Sequence, residues 1–173
     1  MISAAIPPTQ NPSRLKKFWR DRVLGLIVAQ LTQGVTPQKI ALTIALGFNV
    51  GIFPIMGSTT VLCGAVAFCL KLNQPVIQLV NWLVYPLQLT TILIFVRIGE
   101  WIVRAPPVPF SIPELLRKFN ASPRKFLQDF GMTGVHGIIA WFIIAPFVAA
   151  LIYIILLPPL KKLGQVIEQK NAH

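Results

Sequence analysis

The chain has 173 residues, 54% hydrophobic and only 12% charged, with a mean hydropathy of +0.67. A soluble domain carries about 25% charged residues, so the composition excludes an ordinary water-soluble globule and suggests a single membrane domain. Sixteen Lys and Arg against five Asp and Glu give a net charge of +11; because they flank apolar runs, anionic lipid head groups are the expected partner and nucleic acid is not.

Residues 1–13, MISAAIPPTQNPS, hold three prolines and no charge. They predict a disordered tail without the basic start of a cleavable signal, so internal spans should direct insertion. Residues 14–34 set Leu15, Phe18, Trp19, Val23, Leu26, Ile27 and Leu31 at helical spacing against Arg14, Lys16, Lys17, Arg20 and Arg22. This is the pattern of a basic amphipathic helix lying in the head-group plane. Gly34 is placed to stop it. Thr36-Pro37 then starts the next helix, with Thr as N-cap and Pro in the first turn.

Ile40 to Leu70 is a run of 31 residues without Asp, Glu, Lys or Arg. As one helix it would be about 46 Å long at ~1.5 Å per residue, against a hydrocarbon core of about 30 Å. Its middle offers a break. Pro54 removes a backbone donor, Gly51 and Gly57 flank it, and Ser58, Thr59 and Thr60 are suited to cap a second helix. A broken, re-entrant helical hairpin over about residues 38–70 is expected. Gly47 and Gly51 form a GxxxG pair that permits close helix approach, and Asn49 between them is read as a packing hydrogen bonder. Gly57 is expected to serve both close approach and positive φ. Cys63 and Cys69, about 240° apart around a helix, cannot bridge within it and have no metal-ligand spacing.

Asn73-Gln74-Pro75 turns the chain into a second membrane helix, about residues 75–103. Gln74, Gln78, Asn81, Tyr85 and Gln88 fall on one stripe of it, within about 80°. Lipid cannot satisfy amides, so the stripe should face protein or water. Pro86 leaves the Trp82 carbonyl without its helical partner. Ser58, Thr59, Thr60, Gln78, Asn81 and Gln88 form the candidate polar pocket. Gly47, Gly51, Pro54, Gly57, Asn73, Pro75 and Pro86 shape the backbone around it. The same stripe also reads as helix–helix glue, and both readings stay open at this point.

Arg97, Glu100 and Arg104 have the spacing of an ion-paired face. Pro106, Pro107, Pro109 and Pro113 mark a stiff loop, with a short helix expected over 111–120. Ser122-Pro123-Arg124-Lys125 echoes Thr36-Pro37-Gln38-Lys39 at an offset of 86 residues, a weak sign of a duplicated unit. A third membrane helix spans about residues 131–157. His136 near its start is read as a structural hydrogen bonder, and Tyr153 as an interface anchor. Residues 36–160 thus form one membrane domain and 161–173 a polar basic tail. With a re-entrant hairpin, ten basic residues lie on the side of both termini and six on the other. A single kinked crossing at 40–70 gives twelve and four. The positive-inside rule prefers the crossing; helix length and the central break prefer the hairpin, which is adopted.

Thr36-Pro37, Gly47, Gly51-x-Phe-Pro54-x-x-Gly57-x-x-Thr60, the Leu72-Asn73-x-Pro75 turn and Asn81 ahead of Pro86 resemble a bacterial family of small integral membrane proteins classed only as a domain of unknown function. The likeness covers about residues 36–100 and, more loosely, the final span. Family members often carry Asn directly before the second proline; Tyr85 stands there here. The resemblance supplies no activity, cofactor or catalytic residue. Fusion of some relatives to glycosyltransferase domains implies, by association, pathways of envelope polysaccharide or lipid-linked sugar in the cytoplasmic (inner) membrane.

No paired carboxylates, Cys–His or Ser–His arrangement, metal cluster or phosphate loop occurs in a span, so an enzyme is not expected. Two functions remain. One is translocation or handling of an anionic lipid or lipid-linked sugar. The other is a non-catalytic scaffold for an envelope enzyme, as a partner or a homo-oligomer.

Overall fold

A computed structural model describes residues 25, 27–32, 34–107, 117 and 120–171. The basic half of the expected amphipathic helix, the tail before it and most of the 111–120 segment lie outside them. The described residues are helical, without strands: α1 (Pro37–Gly51), α2 (Thr59–Cys69), α3 (Gln74–Val103) and α4 (Pro123–Asn171). Residues 27–32 form a further helical segment ahead of α1.

The starts of α1 and α3 are built alike. Thr36 caps α1 by accepting from the Lys39 N–H, and Asn73 caps α3 by accepting from the Val76 N–H at 3.0 Å. Each cap is followed by proline in the first turn, where the missing N–H costs no helical bond. α1 ends at Gly51 and the chain turns through residues 52–58. Gly57 holds φ +82° there, a conformation that side chains other than glycine resist. Nothing lies within 4 Å of where its Cβ would be, so the turn needs Gly57 for φ alone, not for the close approach expected of it. The cap expected of Ser58 is also absent. Ser58 sits at the N-cap in αR conformation, and its hydroxyl donates back to the Ile55 carbonyl at 2.9 Å.

Side-chain contacts fix the directions of the helices. Gly47 faces Ile77 and Val80, and Gly51 faces Asn81 and Val84, so α1 and α3 run parallel. Gln74 reaches the Gly64 carbonyl and Gln78 the Thr60 carbonyl, so α2 runs antiparallel to α3. α4 returns against α1, with Trp141 beside Asn49 and Gly164 beside Pro37. Both legs of the α1–α2 hairpin therefore meet at one end of the bundle, the base. Its tip lies against α3 from Gln88 to about Val96, and α3 continues from there to Val103.

Three apolar clusters stack along this axis. Ile27, Ile40, Ala41 and Leu160 close the base; Val50, Cys63, Ala67, Leu72 and Ile77 join the hairpin legs to α3; Ile52, Val84, Phe95 and Ala140 tie the tip to α3 and α4. The glycines of α3 and α4 set the close crossings. A Cβ on Gly99 would lie 1.9 Å from the His136 carbonyl oxygen, and one on Gly137 would meet Pro54 and Val96 at 3.3 Å.

α3 and residues 131–169 of α4 are long and apolar enough to cross a membrane, and only 28% and 11% of their most apolar windows are buried in the protein. A soluble core helix hides such a surface. Here Phe68, Trp82, Phe142, Phe147 and Ile154 point outward, which suits association with a bilayer. α4 is longer than the apolar run read from the sequence. It starts at Pro123 and continues through Pro146, Pro158 and Pro159 to Asn171. Leu160 and Gly164 pack on the base just past the proline pair, so tertiary contacts hold a segment that local sequence would interrupt.

Candidate functional site at the hairpin tip

The amide stripe of α3 faces the hairpin along most of its length. Gln74 Nε2 donates to the Gly64 carbonyl at 2.9 Å and Gln78 Nε2 to the Thr60 carbonyl at 3.0 Å. Asn81 Nδ2 donates to the Thr60 hydroxyl at 3.3 Å. Gln88 Nε2 donates to the Phe53 carbonyl at 2.8 Å and lies 3.5 Å from the Ile55 carbonyl. The last contact matters most for the backbone. The turn at 52–58 breaks the helical ladder; the Ser58 hydroxyl serves the Ile55 carbonyl from within the turn, and the Phe53 carbonyl needs donors from outside it. A fully buried glutamine on the neighbouring helix provides them.

The donors of the stripe are thus spent on the hairpin, while its acceptors are not. Gln78 Oε1, Asn81 Oδ1 and Gln88 Oε1 are buried without a hydrogen-bond partner, as are Asn49 Oδ1 and His136 Nδ1. Asn81 is 2% and Gln88 0% exposed. Beside them the surface opens: Thr60 and Tyr85 are exposed, and Gln78 is half-buried. A row of amide oxygens without donors attracts hydroxyl or N–H groups and repels anions.

Of the residues expected in the pocket, Thr60, Gln78, Asn81 and Gln88 come together by direct contact along the hairpin. Thr59 is buried at the start of α2, and Ser58 is occupied with Ile55. Tyr85 stands exposed on the same stripe. Gly51 lies against Asn81. Pro86 is accommodated inside α3, which remains helical on both sides of it. Asn49 contributes through its backbone: its carbonyl accepts from Trp141 Nε1 at 3.0 Å. Trp141 also stacks edge-on against Phe53, with ring centroids 4.9 Å apart, so the tip is clamped by α3 on one side and α4 on the other. Sequence periodicity could not reveal Phe53, Ile55 or Trp141 as partners, because two act through backbone carbonyls and the third belongs to an apolar run.

Farther along α3, Arg97 pairs with the buried Glu100 at 2.9 Å, as the spacing suggested. His136 touches Gly99 through its backbone, in a crossing too tight for a side chain at position 99. Among the described residues, no three of His, Cys, Asp and Glu gather as metal ligands do.

The fold is therefore that of a small all-helical protein with two helices of membrane length and a polar-stapled hairpin between them. The sequence profile of a family described as "Uncharacterized protein conserved in bacteria (DUF2062)" matches residues 22–165. The chain belongs to this bacterial family of unknown function. The match takes in the last span and the end of the N-terminal helical region, which the resemblance noted above covered loosely or not at all. No curated protein and no solved structure matches the chain.

Proposed function

We propose that the protein is an integral component of a bacterial inner membrane that handles the polar head of a lipid or lipid-linked sugar, without catalysing a reaction on it. In this reading α3 and α4 cross the bilayer, and the hairpin enters and leaves it from the base. α1 has 15 residues, about 22 Å at ~1.5 Å per residue, less than the hydrocarbon core of about 30 Å. A hairpin of that reach ends inside the membrane. Its broken backbone is tolerable there only where protein or water satisfies it.

The observation that carries the proposal is the row of buried, unpartnered oxygens of Gln78, Asn81 and Gln88 beside the exposed Thr60 and Tyr85. Leaving an acceptor unsatisfied costs about 1–3 kcal/mol. A ligand that enters beside Thr60 and Tyr85, displaces the side chains covering this row and brings hydroxyls to it recovers part of that cost. Single cysteines at Thr60 and Tyr85, in a Cys63→Ala, Cys69→Ala background, test it in membranes. Both should react with a water-soluble maleimide, while cysteines at Phe68 and Trp82, which are more exposed than Tyr85, should not. Absence of labelling at both positions in a folded protein would remove water from the row and contradict head-group handling.

A second reading, a non-catalytic scaffold for an envelope enzyme or for further copies of the chain, is favoured by a different observation. Every amide nitrogen of the stripe donates to the hairpin, which is what a packing device does. Under it, Asn81→Leu weakens assembly; under the first reading the same change removes lipid handling and leaves the fold intact.

A further inference from the structure

The base of the bundle carries a second polar feature, distinct from the tip. A pocket of about 290 Å³ opens between the chain just ahead of α1 and the turn from α2 into α3, and its lining includes Thr36, Lys39, Lys71 and Asn73. No carboxylate among the described residues lines it. Among the described residues no acidic group pairs with Lys39 or Lys71. The two lysines reach the pocket from separate segments 32 positions apart in the chain, brought together because the hairpin closes on itself. Lys71 is held there by backbone bonding: it sits at φ +52°, and its N–H donates to the Phe68 carbonyl at 3.3 Å. Asn73 also donates to Gln30 Oε1, which ties the segment before α1 to the back of the pocket.

We infer that this basal pocket binds a phosphate group, either the phosphodiester of a lipid head group or free phosphate. The charge argument is local. Two lysines without an acidic partner among the described residues line one concavity, and charge-assisted bonds to phosphate oxygens are the contacts that ammonium groups make best. Both caps, Thr36 and Asn73, line the same pocket, so the partial positive ends of α1 and α3 add to the lysines. The tip has the opposite character. It presents bare acceptor oxygens, so the anionic part of a ligand is excluded from it. The inference deepens the head-group reading by dividing the labour: the anion goes to the base, and hydroxyl-bearing groups go to the tip.

The test uses the full chain in detergent micelles. Lysine reactivity is mapped with an acetylating reagent, without ligand and with soluble dihexanoyl phosphatidylglycerol, dihexanoyl phosphatidylcholine or inorganic phosphate. Lys39 and Lys71 should be protected at least about fivefold by phosphatidylglycerol, while Lys161 and Lys162 stay reactive. Protection by inorganic phosphate as well would identify free phosphate as sufficient; protection by phosphatidylglycerol and phosphatidylcholine but not by inorganic phosphate would identify a lipid phosphodiester. Protection by phosphatidylglycerol alone would mean that net head-group charge is read and not the phosphate, and would overturn the inference. In parallel, Lys39→Gln/Lys71→Gln should bind phosphatidylglycerol about tenfold more weakly, as expected for losing charge-assisted contacts. Lys161→Gln/Lys162→Gln should bind within about twofold of the parent, since it removes only diffuse attraction. Equal protection of all four lysines, or equal weakening in both variants, would mean a generally basic end and overturn the site. The mapping needs no variant, so a misfolded mutant does not leave the matter open. Protection at the base with no maleimide labelling at Thr60 and Tyr85 would keep this site while rejecting the tip reading; labelling without protection would do the reverse.

Discussion

α1 and α4 are both apolar, yet they solve different problems. α1 is buried on nearly all sides, and the buried set includes Thr43, Asn49, Gly47 and Gly51 as well as Ile40 and Ala41. α4 turns Phe142, Phe147, Leu151, Ile154 and Ile155 outward. The inner helix sets Thr43, Gly47, Asn49 and Gly51 among its large apolar residues, and its two glycines stand where the backbone and side chains of α3 come to close range. The outer one turns large apolar residues outward, a surface that suits association with an apolar medium. Hydropathy alone ranks the two helices together; what separates them is side-chain size and the presence of groups that need a partner.

The sharpest way to break that contrast is at the crossing of α3 and α4. Gly99→Ala places a methyl where the His136 carbonyl already stands, and backbone cannot step aside cheaply. We expect a loss of about 3 kcal/mol or more, at the top of the overpacking range, read as loss of folded protein in mixed-micelle unfolding. Gln88→Leu keeps the volume but removes the donors for the turn carbonyls. It should cost about 1–3 kcal/mol in the same assay, and it should make the 52–58 turn sensitive to protease. Gly47→Ala should be next. Its Cβ would meet the Ile77 carbonyl oxygen and two side-chain atoms at 3.1 Å, for a net loss of about 1 kcal/mol. Gly51→Ala, where the nearest atoms lie at an ordinary 3.4 Å, should fall within about 0.5 kcal/mol of the parent, aided by alanine's better helix propensity. The smallest effect belongs to α4: Phe147→Ala should shift micelle unfolding by no more than about 0.5 kcal/mol. An effect at Phe147 comparable to that at Gly47 would mean that the outer face is an interface between copies and not a lipid surface.

Much of this arrangement is legible in the sequence because it is locally encoded. Thr36-Pro37 and Asn73 through Pro75 start helices by capping chemistry, Gly57 marks a positive φ, and the spacing of Gln74, Gln78, Asn81 and Gln88 marks one face of α3. What the stripe faces is not locally encoded. Apart from the Thr60 hydroxyl, which takes Asn81, the acceptors it serves are carbonyls of Phe53, Thr60 and Gly64, and every residue has a carbonyl. Gly99 and Gly137 look like any other membrane-helix glycines until the opposing backbone is known. The pairing of Lys39 with Lys71 depends on the hairpin closing, a long-range event. Ser58 misleads because its hydroxyl donates back to the Ile55 carbonyl instead of accepting from the first turn of α2, and Pro158-Pro159 mislead because a proline pair does not end a helix whose far side is held by Leu160 and Gly164.

The hairpin is the claim on which the rest depends, and side-specific labelling tests it most directly. Single cysteines at Lys39, Lys71 and Arg104, in the Cys63→Ala, Cys69→Ala background, are exposed to a membrane-impermeant maleimide in oriented vesicles and then in inverted ones. Lys39→Cys and Lys71→Cys should react from the same side, and Arg104→Cys from the opposite side. Reaction of positions 39 and 71 from opposite sides would make residues 40–70 a crossing and contradict the account.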